Sequence, residues 1–145
     1  PDLSVTTDVI TGFPGETEQD FADSVRMVRA FEFSRVHVFP SSARPGTPAA
    51  DMDGQVDPGV RKERARRLIA AAAEVRSRYL ERLKGKTLHV LVETAAGENR
   101  VTGRSEYYVP VSFSGPASLC GRLAAVRAGA AEGGELQGEL ISSFP

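Results

Sequence analysis

Two glycine- and proline-punctuated stretches and one arginine-rich block carry the residue types that could do chemistry. Residues 7–17 read TDVITGFPGET: a β-branched run, then glycines and a proline, then Thr17 with Asp20 three residues on. That order places a tight turn at the end of a strand and opens it onto a helix. Glycine lets backbone approach a ligand closely, and a helix N-terminus favours an anion. Neither a Gly-Lys-Ser/Thr nor a GxGxxG follows, so neither nucleotide-loop fingerprint is present. A plain strand-to-helix turn accounts for the same residues. Residues 37–50, HVFPSSARPGTPAA, repeat the theme after a second apolar run. Arg44 offers a fork for carboxylate or phosphate, and Ser41, Ser42 and Thr47 offer hydroxyls. A structural loop with a surface arginine is the plainer alternative.

The third feature is electrostatic. Residues 1–60 hold ten acids and four bases, residues 61–86 ten bases and three acids, and residues 87–145 six acids and four bases. A block of net +7 inside a chain of net −1 is a candidate footprint for a polyanion. A solvated helix face reads the same way.

The elements that must position these residues follow from periodicity. Residues 4–10 and 35–39 read as strands. Thr17 and Asp20 form an N-cap pair resembling a capping box, and Phe21, Val25, Val28 and Phe31 or Ala30 recur at helical spacing. Residues 4–39 therefore make one βαβ unit with parallel strands. Residues 40–59 read as one long loop. Pro58 then opens a helix whose apolar stripe is Leu68, Ala72, Val75, Tyr79 and Leu83, closed by Gly85 as its C′ glycine. Beyond it, residues 87–94, a short strand near 99–103, 107–113, 121–128 and 135–141 predict five short antiparallel strands, a small barrel of the OB kind. Cys120 is expected to be a small buried residue, and His37 and His89, inside apolar runs, to be structural.

One cysteine in 145 residues provides no disulfide, no cysteine-rich zinc site and no all-cysteine cluster from this chain alone. No apolar run approaches a membrane span, and no signal peptide opens the chain, so a cytoplasmic location without a membrane partner is expected. The start on Pro-Asp-Leu reads as a piece of a longer protein.

TDVITGFPGETEQDF, then HVFPSSARPGTPAADM, then GQVDPGVRKERARRL, resembles the C-terminal part of radical S-adenosylmethionine (SAM) methylthiotransferases. These comprise an N-terminal domain, a radical-SAM barrel and a small RNA-binding TRAM β-barrel. The wording after His37 most resembles the branch that methylthiolates C2 of N6-threonylcarbamoyladenosine beside the tRNA anticodon. The isopentenyladenosine and ribosomal-protein branches are the alternatives, as is a fragment that acts only as an RNA-binding module. The resemblance implies an α/β plus all-β architecture: residues 1–59 as the end of a radical-SAM TIM-type barrel, 60–85 as a connecting basic helix, and 86–145 as a TRAM-like domain. It implies that Asp8, Ile10, Gly12, Phe13, Phe39, Ser41 and Arg44 border SAM and substrate. It further implies that Arg64, Arg67, Arg78, Arg82, Lys84, Arg104, Tyr107 and Tyr108 meet the tRNA anticodon region.

The CxxxCxxC triad of the family is absent from the chain, as are the cysteines of a second cluster. By resemblance the parent uses SAM and two iron–sulfur clusters. The fragment is then expected to hold no cluster, to carry no catalytic residue of its own and to be inactive alone. Its partners would be tRNA and the N-terminal domains of the same parent, and its exposed strand edges predict self-association when isolated. The chain also departs from the family pattern. Ser41-Ser42-Ala43 replaces a Tyr-Ser-Pro-like stretch. Arg104, Tyr107 and Pro110 stand where an aromatic, an Asn and a base are usual. Pro110 argues for an edge strand or bulge.

Overall fold

The computed structural model describes residues 3–97 and 99–144. Their contacts divide into two compact units, Val5–Arg76 and a second made mainly of Ser77–Pro145.

The first unit is built on β1 (Thr6–Thr11), α1 (Glu18–Ala30) and β2 (Arg35–Pro40). The two strands pair in parallel, with Asp8 opposite His37 and Ile10 opposite Phe39. α1 starts where the cap pair predicts: Asp20 N–H donates to the Thr17 hydroxyl, and Thr17 N–H donates back to the Asp20 carboxylate. Its buried face is Phe21 and Val28, with Val25 partly covered. Of Phe31 and Ala30, one of which is expected on that face, both are exposed, Phe31 as the C-cap residue. Phe33 takes the core position, because the chain leaves helical geometry at Phe31. The interval 40–59 is not all loop: α2 (Pro48–Asp51) interrupts it, and the Gln55 amide binds the Ala49 and Met52 carbonyls.

α3 (Pro58–Leu83) runs 26 residues. Its Leu68 and Val75 pack with Phe21, Val28 and Phe33, against Val9, Val36 and Val38 of the strands. Both helices therefore cover the same face of the strand pair. In α3 Ala65 and Ala71 are buried as well, while Ala72 is only partly so.

The cap of α1 has a measurable consequence. Thr17→Ala is expected to cost about 1 kcal/mol, the usual loss on removing an N-cap hydroxyl. The Thr17 hydroxyl, and next its backbone N–H, hold the Asp20 carboxyl below its ordinary value of 3.8. A depressed carboxyl contributes stability above its unfolded pKa and loses it as pH falls through the folded value. Urea melts of wild type and Thr17→Ala should therefore differ most at neutral pH, and the difference should shrink in acid below 3.8 to what the Asp20 N–H bond to the Thr17 hydroxyl contributes.

The second unit is a closed five-stranded barrel: β3 (Thr87–Ala95), β4 (Arg100–Ser105), β5 (Pro110–Ser114), β6 (Leu123–Glu132) and β7 (Glu135–Ser143), in the order β3-β4-β5-β7-β6. Alternating residues fill its interior, among them Leu88, Val90, Val92, Val101, Val111, Phe113, Val126 and Leu136. Tyr79, Leu80 and Leu83 from the last turns of α3 join that core. Four neighbour pairs are antiparallel, but β5 and β7 run parallel, which corrects the all-antiparallel expectation. β6 returns to pair with β3, and the β6–β7 hairpin then carries β7 back alongside β5 in the same direction.

Residues 107–109 are not strand. Ser105 closes a turn there: Tyr108 N–H donates to the Ser105 carbonyl, and Ser105 N–H to the Val109 carbonyl. Tyr108 sits at φ 58, left-handed backbone that a bulky residue seldom adopts. Pro110 opens β5, where its missing donor is tolerated. Cys120 is exposed, in the turn after the 3-10 segment Ala117–Leu119, so it is not the buried filler expected.

Candidate functional site

In the first unit the turn after β1 and the loop after β2 leave the same end of the strand pair. Ser41 N–H donates to the Thr11 carbonyl at 2.8 Å, tying the two strand ends together. Gly12 lies at φ +72, and a Cβ there would fall 2.2 Å from Cγ of Arg61. Only glycine suits that place, for backbone and space alike. Arg61 passes across Gly12 and donates to the Ser41 carbonyl at 2.7 Å.

Beneath this lies an ion pair. The Arg64 guanidinium donates to the Glu16 carboxylate at 2.7 Å and to the Glu16 carbonyl at 2.9 Å. The same carboxylate oxygen accepts the Gly12 N–H at 2.7 Å. Gly15 N–H donates to the Gly54 carbonyl, closing the turn from the other side. Arg61 and Arg64, from the first turns of α3, therefore brace the strand-end turn, and the segment at Gly54 ahead of α3 closes it.

The strand pair is covered by helices on one face only. On the other, Asp8, Ile10 and Phe39 are exposed, and Ile10 and Phe39 are register partners. His37 stacks on Phe39 with ring centroids 6.4 Å apart and 8° between planes. Phe13 is exposed just past the strand end. Parallel strands are ordinarily buried on both faces, so this bare apolar face is the strongest candidate site of the unit. Asp8, Ile10 and Phe39 come together on it. Gly12, buried beneath Arg61, and Ser41 lie just past the strand ends, and Arg44 lies further out on the loop, its carbonyl accepting from Thr47.

The basic residues divide sharply. Arg64 is buried, with 7% of its side chain exposed, and its charge is spent on Glu16; it offers nothing to a polyanion. Arg67 stacks over Phe21 at 4.7 Å and pairs with Glu18 at 2.8 Å. That bond and charge, with Arg64 beyond, hold the Glu18 carboxyl below its usual range. Arg78 and Arg82 are exposed on the last turns of α3 and Lys84 just past its end, and Arg82 stacks on Tyr79 at 5.5 Å.

On the barrel, Arg104 pairs with Glu93 at 3.3 Å. His89, Leu91, Glu93, Arg104, Ser105, Glu106, Tyr108 and Leu123 line one open depression of about 500 Å³. Tyr108 stands 77% exposed on its rim, whereas Tyr107 packs against the barrel core. Sequence reasoning does not single out Glu16, Leu91 or Leu123; it counts Arg61 only among the basic residues of the helix and reads His89 as structural. An available signal was Arg64 itself, which lies four residues before Leu68 on the apolar stripe. A charge at a core position needs a buried partner. Among the described residues no group of three or more His, Cys, Asp or Glu side chains could hold a metal ion.

A parallel βαβ piece with one bare face, followed in the chain by a closed five-stranded barrel, places the protein in the α/β plus all-β class. Comparison with known proteins narrows the class. No family model matches the chain. It is 40% identical over 131 residues to the threonylcarbamoyladenosine tRNA methylthiotransferase MtaB of Bacillus subtilis, covering 88% of this chain and 29% of that protein. It is 47% identical over 115 residues to MtaB of Thermotoga maritima, covering 79% and 26%. It is 41% identical over 145 residues to the tRNA-2-methylthio-N(6)-dimethylallyladenosine synthase of Dichelobacter nodosus, covering 99% and 32%. The chain belongs to the radical-SAM methylthiotransferase family, and it spans about a third or less of the length of these relatives.

Proposed function

We propose that the chain is the C-terminal portion of an enzyme that methylthiolates C2 of N6-threonylcarbamoyladenosine beside the tRNA anticodon. In this reading residues 1–59 end the radical-SAM barrel, 60–85 connect, and 86–145 form a TRAM-like domain that docks RNA. The single observation behind the pocket is the bare face of β1 and β2, which carries Asp8, Ile10 and Phe39 where both family motifs end their strands.

SAM fits that face by its chemistry. Ile10, Phe39 and Phe13 offer apolar walls to an adenine. Bound SAM would supply a 5′-deoxyadenosyl radical and a methyl group. The residues of this chain bind and orient it and exclude water; Ser41 and Arg44 would border the substrate side. The iron–sulfur clusters do not fit. The lone cysteine, Cys120, is exposed in the barrel unit, and no ligand set accompanies it among the described residues. Their ligands belong to the rest of the parent, which is also the proposed neighbour for the open edges of β1 and β2. A second copy of the isolated chain would compete for those edges.

On the barrel, Arg104 and Tyr108 are the proposed RNA contacts, with Arg67, Arg78 and Arg82 of α3 and Lys84 just past its end supplying charge. Tyr108 offers a free ring face on which an unpaired base can stack. The experiment is titration of the chain with an anticodon stem–loop at two salt concentrations. Tyr108→Ala should weaken binding about tenfold or more, a stacked base being worth about 1–3 kcal/mol. Wild-type chain that ignores the stem–loop at low salt would overturn the RNA reading.

A further inference from the structure

Between α1 and α3, on the side away from the strand pair's bare face, lies a groove of about 510 Å³, of whose lining the proposed RNA contacts include only Arg67. Its walls are four arginines: Arg26 and Arg29 from α1, Arg66 and Arg67 from α3. Its floor is Ala22, Val25 and Ala70. The small floor residues keep two packed helices from closing the groove. No carboxylate lines it.

Each guanidinium is held at the rim by a neighbouring carboxylate. Arg26 pairs with Asp23, Arg29 with Glu74 at 3.3 Å, Arg66 with Glu63 at 2.7 Å and Arg67 with Glu18 at 2.8 Å. At least half of every one of these carboxylate side chains is exposed. Exposed pairs of this kind contribute little and are screened by salt. A phosphate, which accepts the guanidinium fork in two parallel bonds, can take their place.

We propose that this groove is a second RNA contact, and that it takes the phosphodiester backbone and not a base. The inference rests on the tRNA reading. Two things favour that occupant. The walls present repeated positive forks of the type that matches phosphate. The floor between them is apolar and narrow, which suits the ribose faces that alternate with phosphates along a strand. A second copy of this chain would cover the floor but would bring its own arginines against these four.

The test is a salt titration of the chain with the anticodon stem–loop, comparing wild type, Tyr108→Ala and the double variant Arg26→Ala/Arg66→Ala. Arg26 and Arg66 make exposed pairs with residues three positions away on their own helices, so the double variant should fold, which circular dichroism checks. Losing two phosphate contacts should lower the salt slope by about 2, close to 1 for each. Affinity should fall alike for stem–loops of different loop sequence. Tyr108→Ala should weaken binding and leave the slope unchanged. A double variant with wild-type slope and affinity overturns the groove and leaves the tRNA reading standing. Wild-type chain that does not bind the stem–loop overturns both.

Discussion

Arg64→Ala is expected to cost the first unit about 3–5 kcal/mol, the usual penalty for removing one partner of a buried pair. Only 7% of the Arg64 side chain and 11% of that of Glu16 are exposed. With the guanidinium gone, the Glu16 carboxylate keeps the Gly12 N–H at 2.7 Å but faces a space emptied of its countercharge. The Glu16 carbonyl also loses its donor. Whole domains are stable by only about 5–15 kcal/mol, so the loss should appear as a large drop in urea midpoint with an unchanged slope. Arg64→Lys should recover part of the loss, because an ammonium restores the charge beside Glu16 but not the second guanidinium nitrogen, which reaches Glu18 at 3.4 Å. A cycle with Glu16→Gln gives the coupling directly. Additive effects of the two substitutions would show that the pair does not hold the turn.

The same substitution separates a structural arginine from an RNA-binding one. If Arg64 is spent on Glu16, then Arg64→Lys should leave the salt slope of stem–loop binding at its wild-type value. The exposed Arg66 and Arg67 are the residues that should change it. The distinction matters because composition alone makes every arginine of α3 look alike. Position on the helix decides: Arg64 shares a face with Leu68 and Val75, while Arg66 turns outward.

That is where the sequence was readable and where it was not. The capping box, the parallel βαβ unit and the count of five barrel strands follow from local signals: a hydroxyl three residues before a carboxylate, β-branched runs, and glycines between alternating apolar residues. The features that escaped depend on distant partners. Alternation looks the same in parallel and antiparallel strands, so the β5–β7 pairing is invisible until β6 is known to return to β3. Tyr107 and Tyr108 have strand-forming side chains, yet Ser105 bonds across them to Val109 and makes a turn. Arg61 matters because Gly12, forty-nine positions away in the chain, has no side chain to block it. At the candidate site the motif residues were legible as a strand-end cluster. The buttress behind them was not, since its Arg61 and Arg64 lie in the third motif and look like any other arginine of a basic helix until the fold brings them to Gly12 and Glu16.

Gly103 supplies the second large effect, in the barrel. It lies in β4 opposite Val92, next to the irregularity in β3 between Val92 and Thr94. A Cβ on Gly103 would fall 2.1 Å from the Leu91 carbonyl oxygen, and 2.8 Å from both the Leu91 carbonyl carbon and Val90 Cγ1. The first two are backbone of the neighbouring strand, so no side-chain rotation relieves the clash. In an open sheet β3 could slide away. In a closed barrel it is also paired with β6 along Thr87–Leu91, and moving it strains the opposite seam. Gly103→Ala is therefore expected to reach or exceed the upper end of the ordinary overpacking cost, about 3 kcal/mol. Gly138→Ala, whose nearest neighbour is the Val126 side chain, should cost less because a methyl group can turn aside. Thermal melts of the two variants should rank in that order. If Gly103→Ala melts at or above Gly138→Ala, then β3 and β4 are not held at this spacing and the barrel closes less tightly than its pairing requires.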